Sequence, residues 1–282
     1  MLKKPVLVAL ALATALLTSS QTYAQTTFTD TGADAADIQA TVDNFRNALG
    51  TLNPFTAENF VGGRRQIDWD AAPDFVSAPN DFPGDFFNFN VSPRARGIEF
   101  TTPGTGFQLS ATAASGEGIE FDNIDPSYSS LFDTFSAERL FTPIGSTITE
   151  VSFFDPADQS TPTVTNGFGA VFTDIDLEGG SFIQVFDAND NLIETLIPGV
   201  SGGDQGLSFV GIVFDTPVIA SVRIGSGTVP LAPGLTEDID NTIDLVALDD
   251  FIFGEPVGAV PEPTALVLMA SMATLGAMFR RR

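Results

Sequence analysis

The chain has 282 residues, with 36 acidic against 12 basic, a formal net charge of −24 at pH 7, and neither His nor Cys. Disulfides, thiol nucleophiles, thiolate or imidazole metal sites and Ser-His-Asp catalysis are thereby excluded. So acidic a surface repels nucleic acid and anionic membranes; it favours divalent cations or neutral polyhydroxyl partners, or simply keeps the protein soluble in a salty medium.

Lys3 and Lys4 precede an apolar run over residues 6–17, and Thr22-Tyr23-Ala24 places small residues at the cleavage-determining positions. The pattern predicts a secretory signal peptide over residues 1–24, cut after Ala24. The run is too short for a spanning helix, which needs about 17–25 residues. Past Lys4 the chain has no Lys, which removes Schiff-base chemistry and a P-loop lysine.

Residues 25–104 read as a helix plus a loop-rich N-terminal part. Residues 25–33 are a polar leader. Over residues 34–49, Ile38, Val42, Phe45 and Leu49 recur at helical spacing, with Asp34 and Asp37 near the start and Gly50 as the stop. An amphipathic helix is predicted, packed on a sheet or on a partner. Prolines then punctuate residues 54–103. Within that stretch, residues 63–70 alternate as a strand through Ile67 and Trp69. Trp69, the sole Trp, lies between Asp68 and Asp70. An aromatic platform beside carboxylates suits a sugar ligand; a half-buried strand Trp is the plainer alternative. Phe82, Phe86, Phe87 and Phe89 read as core or lid aromatics.

Residues 105–258 are predicted as a β-sandwich domain. Strand patterns cover residues 106–113, 118–122, 147–154, 169–173, 182–186, 192–197, 206–214, 218–224 and 243–253. Residues 130–141 fit a turn of helix or a strand. Asp187-Ala188-Asn189-Asp190-Asn191 predicts one hairpin turn and Asp215-Thr216-Pro217 a second. Many short strands between Gly, Pro and Asx turns indicate an all-β fold, an antiparallel β-sandwich. Residues 166–254 also look like the jelly-roll, galactose-binding-like modules of exported bacterial proteins. The likeness is carried by Ala170-Val171-Phe172-Thr173-Asp174-Ile175-Asp176, the Asp-rich hairpin, Ser208-Phe209-Val210-Gly211 and Leu248-Asp249-Asp250-Phe251. It implies a jelly-roll-like fold, carbohydrate-binding loops and, in many such modules, a structural Ca²⁺ near the first and last strands.

Only carboxylates, hydroxyls, amides and Arg remain for chemistry, and hard oxygen ligands suit Ca²⁺. Asp174 and Asp176, two apart, share a face of a regular strand. Asp249 and Asp250 share one only if the strand bulges or ends there. Asp174, Asp176, Asp249 and Asp250 are therefore the candidate metal ligands if the two strands lie together; solvated turn carboxylates are the alternative. Asp187, Asn189 and Asp190 have oxygen-ligand spacing but lack the Gly and Glu of an EF-hand loop, and read as an Asx turn. Glu99 and Glu120, each between an Ile and a Phe, are ordinary strand alternations, so no glycosidase pair stands out.

The tail is Val260-Pro261-Glu262-Pro263, an uncharged run over residues 264–279, then Arg280, Arg281 and Arg282. The prolines let a helix start only after them, and the arginines hold its far end in the cytoplasm. The stretch closely resembles the PEP-CTERM sorting signal of Gram-negative envelope proteins, whose three parts are all present at residues 260–282. The resemblance implies a transient inner-membrane helix, recognition by an exosortase-type membrane transpeptidase, removal of the helix near the motif, and delivery to the envelope or extracellular matrix. The expectation is a non-catalytic exported protein that binds carbohydrate or acts structurally in exopolysaccharide or biofilm. The alternative is a secreted carboxylate-based glycoside hydrolase or lyase.

Overall fold

The computed structural model describes residues 23–259. Most of the predicted signal peptide, the sorting motif Pro261, Glu262 and Pro263, the predicted helix 264–279 and Arg280, Arg281 and Arg282 lie outside the described residues. Among the described residues, no helix is long and apolar enough to cross a membrane.

The chain runs β1 (Gln25–Gly32), α1 (Ala35–Leu49), β2 (Arg64–Ile67), β3 (Ile98–Thr101), β4 (Gly106–Leu109), β5 (Phe141–Ile144), β6 (Ile148–Phe153), β7 (Gly167–Thr173), β8 (Phe182–Phe186), β9 (Leu192–Leu196), β10 (Leu207–Phe214), β11 (Ser221–Gly225) and β12 (Ala247–Gly254). These strands form two antiparallel sheets. The larger has the order β1-β10-β7-β12-β5-β4, with β2 also on β12; the smaller has the order β3-β6-β11-β8-β9. Residues 25–104 supply β1, β2 and β3, which pair with β10, β12 and β6. No structural boundary therefore falls at residue 104, and the expected polar leader is an edge strand.

The sheets pack face to face. Phe153 of the small sheet meets Phe168 and Phe253 of the large one at ring-centroid distances of 6.4 and 5.6 Å. In β6 and β8 burial alternates residue by residue, because their outer face meets solvent. In β7 and β12 every residue is buried, because both faces are covered. The second cover is α1, which lays Ile38, Val42, Phe45 and Leu49 on Val171, Leu207, Phe209 and Ile252. Asp34 caps the helix by accepting from Ala36 N at 2.8 Å and Asp37 N at 3.3 Å, and Gly50 ends it at φ 102°. Gly169 and Gly211 are cross-strand partners, and the Phe45 ring sits on both. A Cβ at Gly211 would lie 2.8 Å from that ring, so only glycine permits this approach.

Three local expectations fail. Residues 118–122 are a turn, since Glu120 and Phe121 take φ of 51° and 70°. Trp69 also leaves its strand, at φ 64°. Asp215-Thr216-Pro217 does not close a hairpin: β10 pairs with β1 and β7, while β11 pairs with β6 and β8 in the other sheet. The turn chemistry is ordinary there, and the apolar faces on either side each find a different sheet.

Candidate functional site

Three places carry polar chemistry. The first lies beyond the end of β7. Thr173 closes the ladder opposite Leu207, and Asp174 then turns out of the sheet at φ 71°, a conformation that Asp tolerates better than most residues. Its N–H donates to Gly206 O at 2.7 Å. Asp176 is held twice: its N–H donates to Asp244 Oδ1 at 3.2 Å, and its Oδ1 accepts from Gly203 N at 2.9 Å. Glu237 Oε1 accepts from Leu245 N at 3.3 Å. Asp174, Asp176, Asp204 and Glu237 each bring a carboxylate oxygen to one point, all within 4.8 Å of one another. Asp174 is fully buried, and neither of its oxygens has a hydrogen-bond partner. Burial, then the charges of Glu237, Asp176, Asp204 and Asp244, push its carboxyl up to about 9. Burial likewise pushes Glu237 up to about 7, against the pull of the Leu245 N–H. Asp176, Asp204 and Glu237 also line a cleft of about 420 Å³, together with Ser127, Ser130 and Leu131.

The second place is a bulge in β12 between Leu248 and Phe251, which holds Asp249 and Asp250. Both side chains are buried and both are occupied. Asp249 Oδ2 accepts from Phe135 N at 2.6 Å and Ser136 N at 3.1 Å. Asp250 Oδ1 accepts from Ser136 Oγ at 2.7 Å, and its Oδ2 pairs with Arg46 Nη2 at 2.8 Å. Burial raises Asp249 well above the usual carboxylate range, with Asp250 adding to it. Burial raises Asp250 to about 6, opposed by the Ser136 hydroxyl and Arg46. The expected ligand set Asp174, Asp176, Asp249 and Asp250 is therefore not one site. Strands β7 and β12 do pair, but the register sets Ala247 opposite Thr173 and carries Asp249 and Asp250 back along the interior of β7. Asp204 and Glu237 take their places.

Trp69 is not a surface platform. It is fully buried, stacked on Phe141 at 4.5 Å with an interplanar angle of 8°, and ringed by Phe82, Phe87, Phe100 and Phe251. Its indole N–H donates to Asp249 O at 2.9 Å. The Asp187 loop is the expected Asx turn, with Asp187 Oδ1 accepting from Asn189 N and Asn191 N at 2.8 and 2.9 Å. Ala24, the expected cleavage residue, lies exposed just before β1.

The third place is the outer face of the small sheet. Thr101, Glu150, Arg223, Gln184 and Thr195 are successive cross-strand partners, so one polar row crosses all five strands. Arg223 Nε pairs with Glu150 Oε1 at 2.7 Å, and its guanidinium lies 5.7 Å from the Phe186 ring centroid. Gly225 is the cross-strand partner of Phe182, whose ring folds over it; a Cβ there would lie 2.3 Å from the ring. Beside the row runs an open cleft of about 580 Å³, lined by Thr101, Ile148, Glu150, Phe182, Gln184 and Arg223. Sequence reading passed over this row because alternate polar residues on five short strands carry no local signature; only their pairing assembles them.

No protein-family model matches the chain, and no curated protein matches it in sequence.

Proposed function

We propose that this is an exported, non-catalytic protein whose body binds polysaccharide on the outer face of its small sheet. The reading rests on one observation: the polar row from Thr101 to Thr195, with the Phe182 ring packed on Gly225 beside it. Amide, hydroxyl, carboxylate and guanidinium groups match the hydroxyls of a sugar chain, and an aromatic face suits its C–H surface. The cleft of about 580 Å³ falls within the usual size range for ligand sites, roughly 300–1,000 Å³. The sandwich fits a jelly-roll-like module. The two ends of the sequence support its delivery route: export by the signal peptide, a transient inner-membrane helix at residues 264–279, cutting by an exosortase-type transpeptidase near Pro261-Glu262-Pro263, and residence at the surface or in the matrix of a Gram-negative bacterium.

The test is retention of the full-length chain, in detergent, on the producing bacterium's immobilised extracellular polysaccharide. Phe182→Ala and Arg223→Ala should each weaken binding by roughly tenfold, which is about 1.4 kcal/mol. Unchanged binding in both would remove the sheet face as the site. Mass spectrometry of the envelope form should find the chain ending near the Pro-Glu-Pro motif; an intact tail would overturn the sorting route.

A hydrolase or lyase is the second reading, favoured by Glu237, whose carboxyl is held near neutrality at a cleft with other acids. Against it, four carboxylates converge on one point instead of standing as a pair on either side of a glycosidic bond. Shortening of the polysaccharide on incubation, read by size-exclusion chromatography, would decide for it.

A further inference from the structure

We propose that Asp174, Asp176, Asp204 and Glu237 bind one divalent cation, Ca²⁺, and that the ion fastens together the loops leading into β8, β10 and β12. Four carboxylates held at one point repel one another, and the cost is greatest for the one out of water. Asp174 is 0% exposed, and neither Oδ1 nor Oδ2 has a hydrogen-bond partner. A buried carboxylate with no donor needs a counter-charge. Protonation would neutralise Asp174 but leave the other three carboxylates facing one another without a counter-charge.

Among the described residues, no basic side chain serves the cluster. Among the described residues the basic side chains are seven arginines. Arg46 pairs with Asp43 and Asp250, Arg65 with Glu255, Arg139 with Asp74 and Arg223 with Glu150. Arg64 donates to Gly50 O, Arg94 to Phe86 O and Arg96 to Gln66 O. None of them bonds to the cluster, so its counter-charge must come from outside.

Ligand type and size then choose the ion. Every donor is a carboxylate oxygen, which selects hard cations over zinc or copper. Ca²⁺ binds oxygen at about 2.3–2.6 Å, so oxygens on opposite sides of it are about 4.6–5.2 Å apart. Mg²⁺, at about 2.0–2.1 Å, would draw them to roughly 4.2 Å. The observed oxygens, all within 4.8 Å of one another, leave room for an ion of the size of Ca²⁺. Asp174 would supply the buried side of the shell. Asp176, Asp204 and Glu237 face the cleft, which leaves the open side for the further oxygens that Ca²⁺ requires.

The experiment is thermal unfolding of the full-length chain in detergent, followed by circular dichroism, in EDTA and across a Ca²⁺ series. At a hundredfold excess over Kd the wild type should gain roughly 5–10 °C, saturably. Mg²⁺ at equal concentration should give a smaller gain. Asp174→Asn and the exposed Asp204→Asn should each lose most of the Ca²⁺ shift, and Asp190→Asn, in the β8–β9 hairpin, should keep it. A wild type indifferent to Ca²⁺ would overturn the site, as would a full shift surviving in both Asp174→Asn and Asp204→Asn. An equal response to Mg²⁺ would overturn the choice of ion. Should Asp174→Asn not fold, Asp204→Asn decides alone, since its side chain lies at the surface.

Discussion

Asp249 and Asp250 sit in the bulge of β12; Asp174 sits one residue past the end of β7, the strand beside it. All three carboxylates are buried and all three are raised above the usual range by burial. They differ in their partners. The bulge pair receives two backbone N–H groups, a hydroxyl and a guanidinium, gathered from the 135–136 segment and α1. Asp174 receives nothing. Such a satisfied pair is a brace, and such an orphaned group marks a place built for something else.

Substitutions should sort the two regions, the largest effects falling at the brace. Asp249→Ala orphans the buried N–H groups of Phe135 and Ser136 and should lower stability by about 2–5 kcal/mol in urea unfolding. A neutral result would mean that the bulge is not held by this carboxylate. In EDTA at neutral pH, Asp174→Asn should do the opposite and raise the melting temperature, because it removes the cost of holding a proton on a buried, unpartnered carboxyl raised to about 9. Destabilisation of several degrees by that change would erase the contrast between the regions.

The bulge should also respond to acid. Asp250 faces Arg46 from α1, Ser136, Asp249, and Asp68 and Asp70 from the segment after β2. Its carboxyl rises from an ordinary 3.8 to about 6, so the folded state holds the proton more tightly than the unfolded chain. That contribution is full below pH about 4 and is lost as pH rises through about 6. The wild type should lose stability across this window, and Asp250→Asn should flatten that part of the profile; parallel profiles would exclude Asp250 as the source. Smallest of all, Ser136→Ala removes one hydroxyl shared with the pair and should cost about 1 kcal/mol.

Much of the frame was legible in the chain. The helix stripe Ile38, Val42, Phe45 and Leu49 is buried as its spacing requires, and the Asp187 turn closes its hairpin. The period-2 strands β6 and β8 fall where alternation put them. The bulge at Asp249 and Asp250 was the condition under which both could point to one side, and it is present. Sites assembled by topology were not legible. Asp204 and Glu237 come from separate loops with no shared spacing, and nothing near Glu237 distinguishes it from its acidic neighbours. Register decided against Asp249 and Asp250 as partners of Asp174, and register is a property of two strands, not one. Trp69 misled because polar neighbours suggested a surface, while the ring lies wholly inside the aromatic core.

The pairing of β1 with β10 has a consequence for how the body is assembled. Gln25 stands opposite Phe214, and Arg64 opposite Gly254, so the earliest strands close onto some of the last. Contacts so distant along the chain form slowly, because a long loop must close before they are rewarded. A polypeptide threaded through a membrane from its N-terminus would therefore carry β1 and β2 across as unpaired segments. The large sheet would zip up only once β10 and β12 had followed, so β1 and β2 must wait for the last third of the chain before they are paired.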